Sequence, residues 1–258
     1  MVSSKVLERL RGGGFARVTS VCRLTDPWLA ELIGRVGFDA VWYDLEHRTA
    51  PEGSAAAMAL GCRAAGTDLM VRVRKSDYGI PMRMLEVGAS GLMVPHVRSV
   101  AEARQWVDWC RFPPLGSRGF DGAGADADYM LAGPLEHIAH ANRNTFLVFQ
   151  IEDRAAVEAI DEIAAVDGFD ILFVGPADLS LSLGVPFQTG HPEMQRAIDR
   201  VAAAAARAGK WWGIPVSSAG SARGYLRRGA RFLAYGSDHG LLVEGYQKLF
   251  EDLAGLGL

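Results

Sequence analysis

Apolar residues fall into eight short runs along the chain, each followed by polar or glycine residues and then by a helical pattern. The runs cover approximately Ala16–Val21, Ala40–Tyr43, Leu69–Val73, Gly91–Val94, Phe146–Ile151, Ile171–Val174, Trp211–Val216 and Phe232–Tyr235. They are largely continuous rather than alternating, the pattern of strands covered on both faces in a parallel sheet. Eight β/α units in 258 residues predict an α/β chain folded as a single (β/α)8 TIM barrel over residues 1–258. A doubly wound sheet is the alternative, but no Gly-x-Gly-x-x-Gly follows the first strand and no phosphate-loop lysine is present.

Punctuation supports the helices. Asp26-Pro27 sets an N-cap acid before a first-turn proline, Ser99 and Glu102 have capping-box spacing, and Gly88, Gly184 and Gly209 stand as C-caps. Residues 111–144 lack a strand and read as a long loop followed by a helix, a length usually tied to function. The last segment, Leu241 to Leu253, has apolar residues at helical spacing and could pack on its own barrel or on a neighbouring subunit.

Composition narrows the partners. The chain is 49% apolar with net charge −3, and its interspersed charges form no basic stripe, which argues against nucleic acid. No apolar run approaches the roughly 20 residues of a membrane span, and the first residues do not read as a signal peptide, so a soluble cytoplasmic protein is expected. Cys22, Cys62 and Cys110 are too far apart for a zinc or redox pair and read as core thiols.

Barrel chemistry sits at the carboxyl ends of the strands. There the second strand leads to Asp44-Leu45-Glu46-His47, the third to Arg72, the fourth to Pro95-His96, the fifth to Gln150 and Glu152, and the sixth through Gly175-Pro176-Ala177 to Asp178. Glu152 and Asp178, with no cysteine beside them, make a hard oxygen site suited to Mg²⁺ or Mn²⁺. Each acid alone could simply start the helix that follows it; both on neighbouring strands of one rim, with Gln150 beside them, favour a cation. Backbone N–H groups of Gly175 and Ala177 read as a carboxylate site, His47 as a general base, and Arg72 as a fixed cation for developing oxygen charge. His137 and His140, one turn apart, read as a surface face, and Trp211-Trp212 as packing.

The motifs Asp44-Leu45-Glu46-His47, Met70-Val71-Arg72, Leu85-Glu86-Val87-Gly88, Gly91-Leu92-Met93-Val94-Pro95, Gln150-Ile151-Glu152 and Gly175-Pro176-Ala177-Asp178-Leu179-Ser180 together resemble the HpcH/HpaI aldolases, metal-dependent class II pyruvate aldolases. The resemblance runs in order over nearly the whole chain. It implies a homo-oligomer, hexamer or trimer, with the last helix exchanged between subunits, and a divalent ion (Mg²⁺, Mn²⁺ or Co²⁺) held by Glu152 and Asp178 and chelated by pyruvate. By the same likeness Arg72 stabilises the enolate oxygen, His47 with Glu86 forms the base system, and Asp44 belongs to the catalytic set. Gln150, Gly175, Pro176, Ala177 and Val216 are the expected substrate contacts. Glu86 stands where some relatives have the shorter aspartate, Leu45 where a smaller or different residue is frequent, and Asp126 where relatives tend to be basic.

The expected reaction is reversible aldol cleavage of 2-keto-4-hydroxy acids to pyruvate, or a related keto acid such as hydroxypyruvate, and an aldehyde. Oxaloacetate decarboxylation or a CoA-ester lyase reaction would use the same site, although no basic groove for CoA is evident. A barrel that only binds a keto acid is disfavoured by the full set of reactive residues.

Overall fold

Each of the eight apolar runs forms a strand: β1 Ala16–Val21, β2 Ala40–Asp44, β3 Asp68–Arg72, β4 Gly91–Val94, β5 Phe146–Ile151, β6 Ile171–Val174, β7 Trp211–Val216 and β8 Phe232–Ser237. In this computed structural model, which describes Met1 and residues 3–256, they pair in sequence order, all parallel, and β8 closes on β1. Val2, Gly257 and Leu258 lie outside the described residues. No helix among the described residues is long and apolar enough to cross a membrane.

Strand parity divides the core into two layers. Ala40, Met70, Met93, Phe146, Val148, Ile171, Phe173, Phe232 and Ala234 fill the barrel interior. Val41, Tyr43, Val71, Leu92, Leu147, Phe149, Leu172 and Ile214 face the surrounding helices. Both faces are therefore apolar, which is why the runs look continuous. Large and small residues alternate inside: a Cβ on Gly91 would stand 2.2 Å from the Phe146 ring, and one on Gly213 would stand 2.2 Å from the Phe232 carbonyl oxygen. Those two glycines leave room for the phenylalanines that fill the interior.

The amino-terminal end of the barrel is stoppered by the helix Lys5–Arg11, whose Val6, Leu7 and Leu10 join the interior cluster. Asp68 fixes it there, accepting from Ser4 Oγ at 2.6 Å and from the Val6 amide at 2.8 Å. That role explains why β3 opens on an acid, one residue before the apolar run.

The seam between the first and last strands is latched by Asp238. Its carboxylate accepts the amides of Cys22, Arg23 and Leu24, all at 2.8 to 2.9 Å, and that of His239. Burial raises its pKa, but these four N–H groups outweigh burial and hold it below the usual carboxylate value. Replacing Asp238 by asparagine should lower the unfolding free energy by about 1.5–3 kcal/mol, the worth of hydrogen bonds to a charged group. Because the folded pKa is depressed, this contribution is present above the unfolded value of about 3.9 and is lost as pH falls through the folded value. Denaturant midpoints of wild type and Asp238→Asn at neutral and acid pH should thus converge on acidification; a constant gap between them would refute the latch.

The capping signals are realised. Asp26 Oδ1 accepts the Trp28 amide, Ser99 Oγ accepts that of Glu102, and Gly88, Gly184 and Gly209 all have positive φ. The expected surface face of His137 is corrected: its ring is 1% exposed, edge-on to Phe112 and Phe120, aromatic residues from the preceding loop.

Candidate functional site

Extending the inward parity past each strand end identifies the side chains that reach the carboxyl rim. On β2, Ala40 and Trp42 lead to Asp44; on β3, Asp68 and Met70 lead to Arg72; on β5, Phe146 and Val148 lead to Gln150 and then Glu152; on β6, Ile171 and Phe173 lead to Gly175. Apart from Asp68 at the opposite end, the inward polar side chains named here thus converge on the upper layer of the barrel.

Arg72 lies over the Trp42 ring, 4.9 Å from its centroid. It binds Asp44 in bidentate fashion, Nε to Oδ1 at 3.0 Å and a terminal nitrogen to Oδ2 at 2.8 Å. Its other terminal nitrogen is 3.2 Å from Glu46. Burial works against both charges, yet the pairing outweighs it: Asp44 is held below the usual carboxylate range and Arg72 above its ordinary value. The bidentate bond uses two of the five guanidinium N–H donors, so the group retains donors for a ligand.

Glu152 is 1% exposed. Its Oε1 accepts the His96 amide at 2.8 Å, and its Oε2 accepts the Gln150 side-chain amide. Burial pushes its pKa up to about 7; the His96 amide and ring oppose that rise, while the like charges of Glu46 and Asp178 add to it. Three carboxylates, Glu46, Glu152 and Asp178, therefore share one electrostatic neighbourhood, and its buried guanidinium pairs with Asp44 and Glu46 rather than with Glu152 or Asp178. Gln150 Oε1 is buried with no hydrogen-bond partner among the described residues. A surplus of carboxylate oxygens beside an unsatisfied carbonyl oxygen is the donor chemistry of a hard divalent cation. No group of three or more His, Cys, Asp or Glu poised to hold an ion occurs among the described residues, so the protein's share would be the two carboxylates Glu152 and Asp178.

Neither acid serves the plain capping role. The helices Arg154–Glu158 and Pro176–Ser182 have no side-chain cap bond, and Asp153 turns instead to His96 and Arg98. Gly175 is required here: a Cβ would fall 2.2 Å from Glu152 Oε2 and 2.8 Å from the Gln150 amide nitrogen. Its own N–H, however, donates to the Ile151 carbonyl at 3.2 Å, so of the two amides expected to bind a carboxylate only that of Ala177, in the first helical turn, is outside the sheet ladder. Pro176 fixes the start of that turn.

His47 stands beside this cluster, its side chain half exposed and its Nε2 3.6 Å from Glu46. Glu86 is not brought to it. Glu86 ends the helix Gly79–Glu86, which returns from the rim toward the start of β4; burial raises its pKa, with Arg118 opposing and Asp126 and Asp121 adding. Arg118 and Asp126 form an ion pair in the long segment after the helix Val100–Cys110. That segment runs at the amino-terminal end of the barrel, where Arg111 bonds the carbonyls of Thr145 and Gly168 just before β5 and β6. Within one chain it does not line the rim. Val216 has outward parity and packs in the outer layer, and Leu45 is buried there too.

Glu46 and His96 were visible at strand ends but carried no assigned role. Glu46 continues the parity of Ala40, Trp42 and Asp44, which is the signal that could have found it. His96 could not be found that way, because its hydrogen bond to Glu152 is made by the backbone, although its ring Nδ1 also stands 3.6 Å from the same oxygen.

Residues 22–245 match the family model described as HpcH/HpaI aldolase/citrate lyase. The chain is 35% identical over 228 residues to the 5-keto-4-deoxy-D-glucarate aldolase of Klebsiella pneumoniae, spanning 88% of each. It is likewise 35% identical over 242 residues to the hydroxypyruvate/pyruvate aldolase of Pseudomonas aeruginosa, 94% of this chain and 90% of that one. The crystal structure of an HpcH/HpaI aldolase from Desulfitobacterium hafniense matches with a TM-score of 0.91 at 30% identity, over 96% of both chains.

Proposed function

The chain belongs to the HpcH/HpaI aldolase/citrate lyase family, and from that premise we propose that its 258 residues form one catalytic barrel cleaving 2-keto-4-hydroxy acids reversibly to pyruvate, or hydroxypyruvate, and an aldehyde. It is a carbon–carbon lyase. The observation that carries the substrate class is the meeting of the surplus carboxylates Glu152 and Asp178 with the buried Arg72 guanidinium on one rim. That combination suits a ligand whose reacting oxygen becomes an anion.

A divalent cation, Mg²⁺, Mn²⁺ or Co²⁺, held by Glu152 and Asp178 would supply Lewis-acid polarisation of the keto oxygen. Gln150 and the His96 amide orient Glu152 for that task, and the missing Cβ of Gly175 keeps the space beside it open. In the cleavage direction His47 takes the proton of the substrate's C4 hydroxyl as the C3–C4 bond breaks, releasing the aldehyde. The bonding pair becomes the enolate, whose oxygen faces the remaining N–H donors of Arg72. Protonation at C3 then yields the keto acid. Asp44 holds Arg72 in the orientation this needs.

The direct test is exchange of the pyruvate C3 protons in D₂O, followed by NMR on chelator-stripped enzyme with and without Mg²⁺, Mn²⁺ or Co²⁺, with hydroxypyruvate in parallel. Exchange restored by metal is the expected result. Its absence with every ion and both acids would overturn the reading.

The working form is taken to be a homo-oligomer, a trimer or hexamer. The helix Asp238–Ala254 buries only Asp238 and leaves Leu241, Tyr246, Leu249, Phe250 and Leu253 exposed, and Trp28, Leu32 and Val36 lie bare along the helix Pro27–Val36. Apolar faces of this extent mark interaction surfaces, and exchange of the last helix would cover them. Sedimentation velocity should give a trimer or hexamer for wild type and a smaller species for Phe250→Asp; a monomeric wild type would contradict this.

A further inference from the structure

We propose that His96 is a positioning residue that orients Glu152 through its own backbone N–H, and that its ring serves to lock that backbone in place. This rests on the reading of Glu152 as a cation-holding carboxylate.

His96 is one of few non-glycine residues in the left-handed region, with φ of 48°. The conformation costs an L-residue steric energy, although histidine with asparagine and aspartate is enriched there, and it persists where the surroundings over-determine it. They do so here on three sides. The amide donates to Glu152 Oε1 at 2.8 Å. The carbonyl accepts from Lys75 Nζ at 2.8 Å, and Lys75 is in turn paired with Glu102. The ring Nδ1 lies 3.0 Å from Asp153 Oδ2, and the same oxygen is held by Arg98 Nε at 3.0 Å. A ring contact alone would not demand this backbone. Val97, on the far side, donates its amide to the Gln150 carbonyl at 3.3 Å, so with both flanks held an extended residue 96 would have to displace its peptide and leave Glu152 Oε1 without its donor.

The consequence for the site is geometric. A carboxylate oxygen has two lone pairs. With Oε1 bound by an amide that cannot rotate and Oε2 by Gln150, each oxygen keeps one lone pair, and the carboxylate plane cannot swing to use them anywhere but the open rim. Groups that orient a ligating carboxylate in this manner are typically worth about 10–100-fold in metal affinity.

Three substitutions separate the backbone from the ring. His96→Gly removes the ring but favours positive φ; His96→Asn tolerates it; His96→Val, β-branched, resists it. Mn²⁺ titration by calorimetry, with thermal unfolding to verify folding, should show Gly and Asn within about threefold of wild type and Val weaker by about tenfold or more. The loss should appear in metal affinity and metal-saturable exchange, with the pyruvate KM at saturating metal little changed. Equal loss in all three variants would assign the effect to the ring and overturn the proposal, as would equal retention in all three. Failure of wild type itself to bind Mn²⁺ would instead bring down the cation reading and the role of His96 with it. Should Val fail to fold, His96→Ala, which lacks the ring as Gly does but disfavours positive φ, is expected to weaken Mn²⁺ by at least about threefold relative to Gly; affinity equal to that of Gly counts against the proposal.

Discussion

Alanine in place of Asp178 is expected to reduce metal-dependent turnover by about a thousandfold or more while leaving the fold in place. Lewis-acid stabilisation of a developing oxyanion is worth several kcal/mol, and each ~1.4 kcal/mol is a factor of ten in rate. Stability should barely move, because Asp178 is only partly buried and its carboxylate has no hydrogen bond or ion pair among the described residues. Its strongest relation is repulsion, since its charge adds to the raised pKa of Glu152. Unfolding of the variant should therefore match wild type within about 0.5 kcal/mol, the usual range for substitutions away from packed features. Glu152→Ala is a less clean test: it would orphan the Gln150 amide and the His96 N–H as well. The measurement is initial retro-aldol rate against metal concentration, together with a thermal melt. A variant of Asp178 that retains wild-type turnover would remove the site assignment.

Arg72 should behave differently, losing both activity and stability. Arg72→Met removes the donor proposed for the enolate oxygen, for which a loss of about 10²–10³ in kcat is the norm. It also leaves Asp44, 2% exposed, without its bidentate partner, and breaking a buried pair in this way costs about 3–5 kcal/mol. Arg72→Lys keeps the charge but not the fork, so it should restore neither fully. The two losses can be separated by the double variant Arg72→Met with Asp44→Asn. Removing both charges should recover much of the stability in urea unfolding without recovering the rate. Recovery of rate in the double variant would mean that Arg72 acts only as the counter-ion of Asp44.

The strands were legible because both of their faces are apolar, and boundaries shifted by one or two residues: β2 gains Asp44, β3 gains Asp68 and loses Val73, and β8 gains Gly236 and Ser237. Asp44 and Arg72 terminate β2 and β3 as inward members of the rim, and Asp68 opens β3 because it accepts the Ser4 hydroxyl and the Val6 amide at the start of a helix more than sixty positions earlier. Glu152, Asp178, Arg72 and His47 were legible as candidates from their places after the strands. The partner of His47 was not. Whether Glu86 can reach it depends on the path of the helix Gly79–Glu86 back to the far end of the barrel, which no local spacing records. The Gly175 amide was assigned to a ligand although the sheet ladder claims it, and His137 was read as exposed because the aromatic residues that bury it come from a loop whose path is set by tertiary packing. The role of His96 depends on the sign of a backbone angle, and histidine is compatible with either sign.

The seam joining β1 to β8 bears on how the molecule is made. Asp238 reaches back 214 to 216 positions to grip the amides that follow β1. As the chain leaves the ribosome, β1 to β7 can pair in order, but the sheet keeps two open edges until β8 has emerged, and such edges are sites of aberrant pairing. The contacts that complete the ring have the greatest sequence separation in the molecule and so the largest loop-closure cost, which places them late in folding. Nascent chains stalled before Phe232 should therefore be protease-sensitive and chaperone-bound along their whole length, and protection should arrive in a single step once the final strand is free.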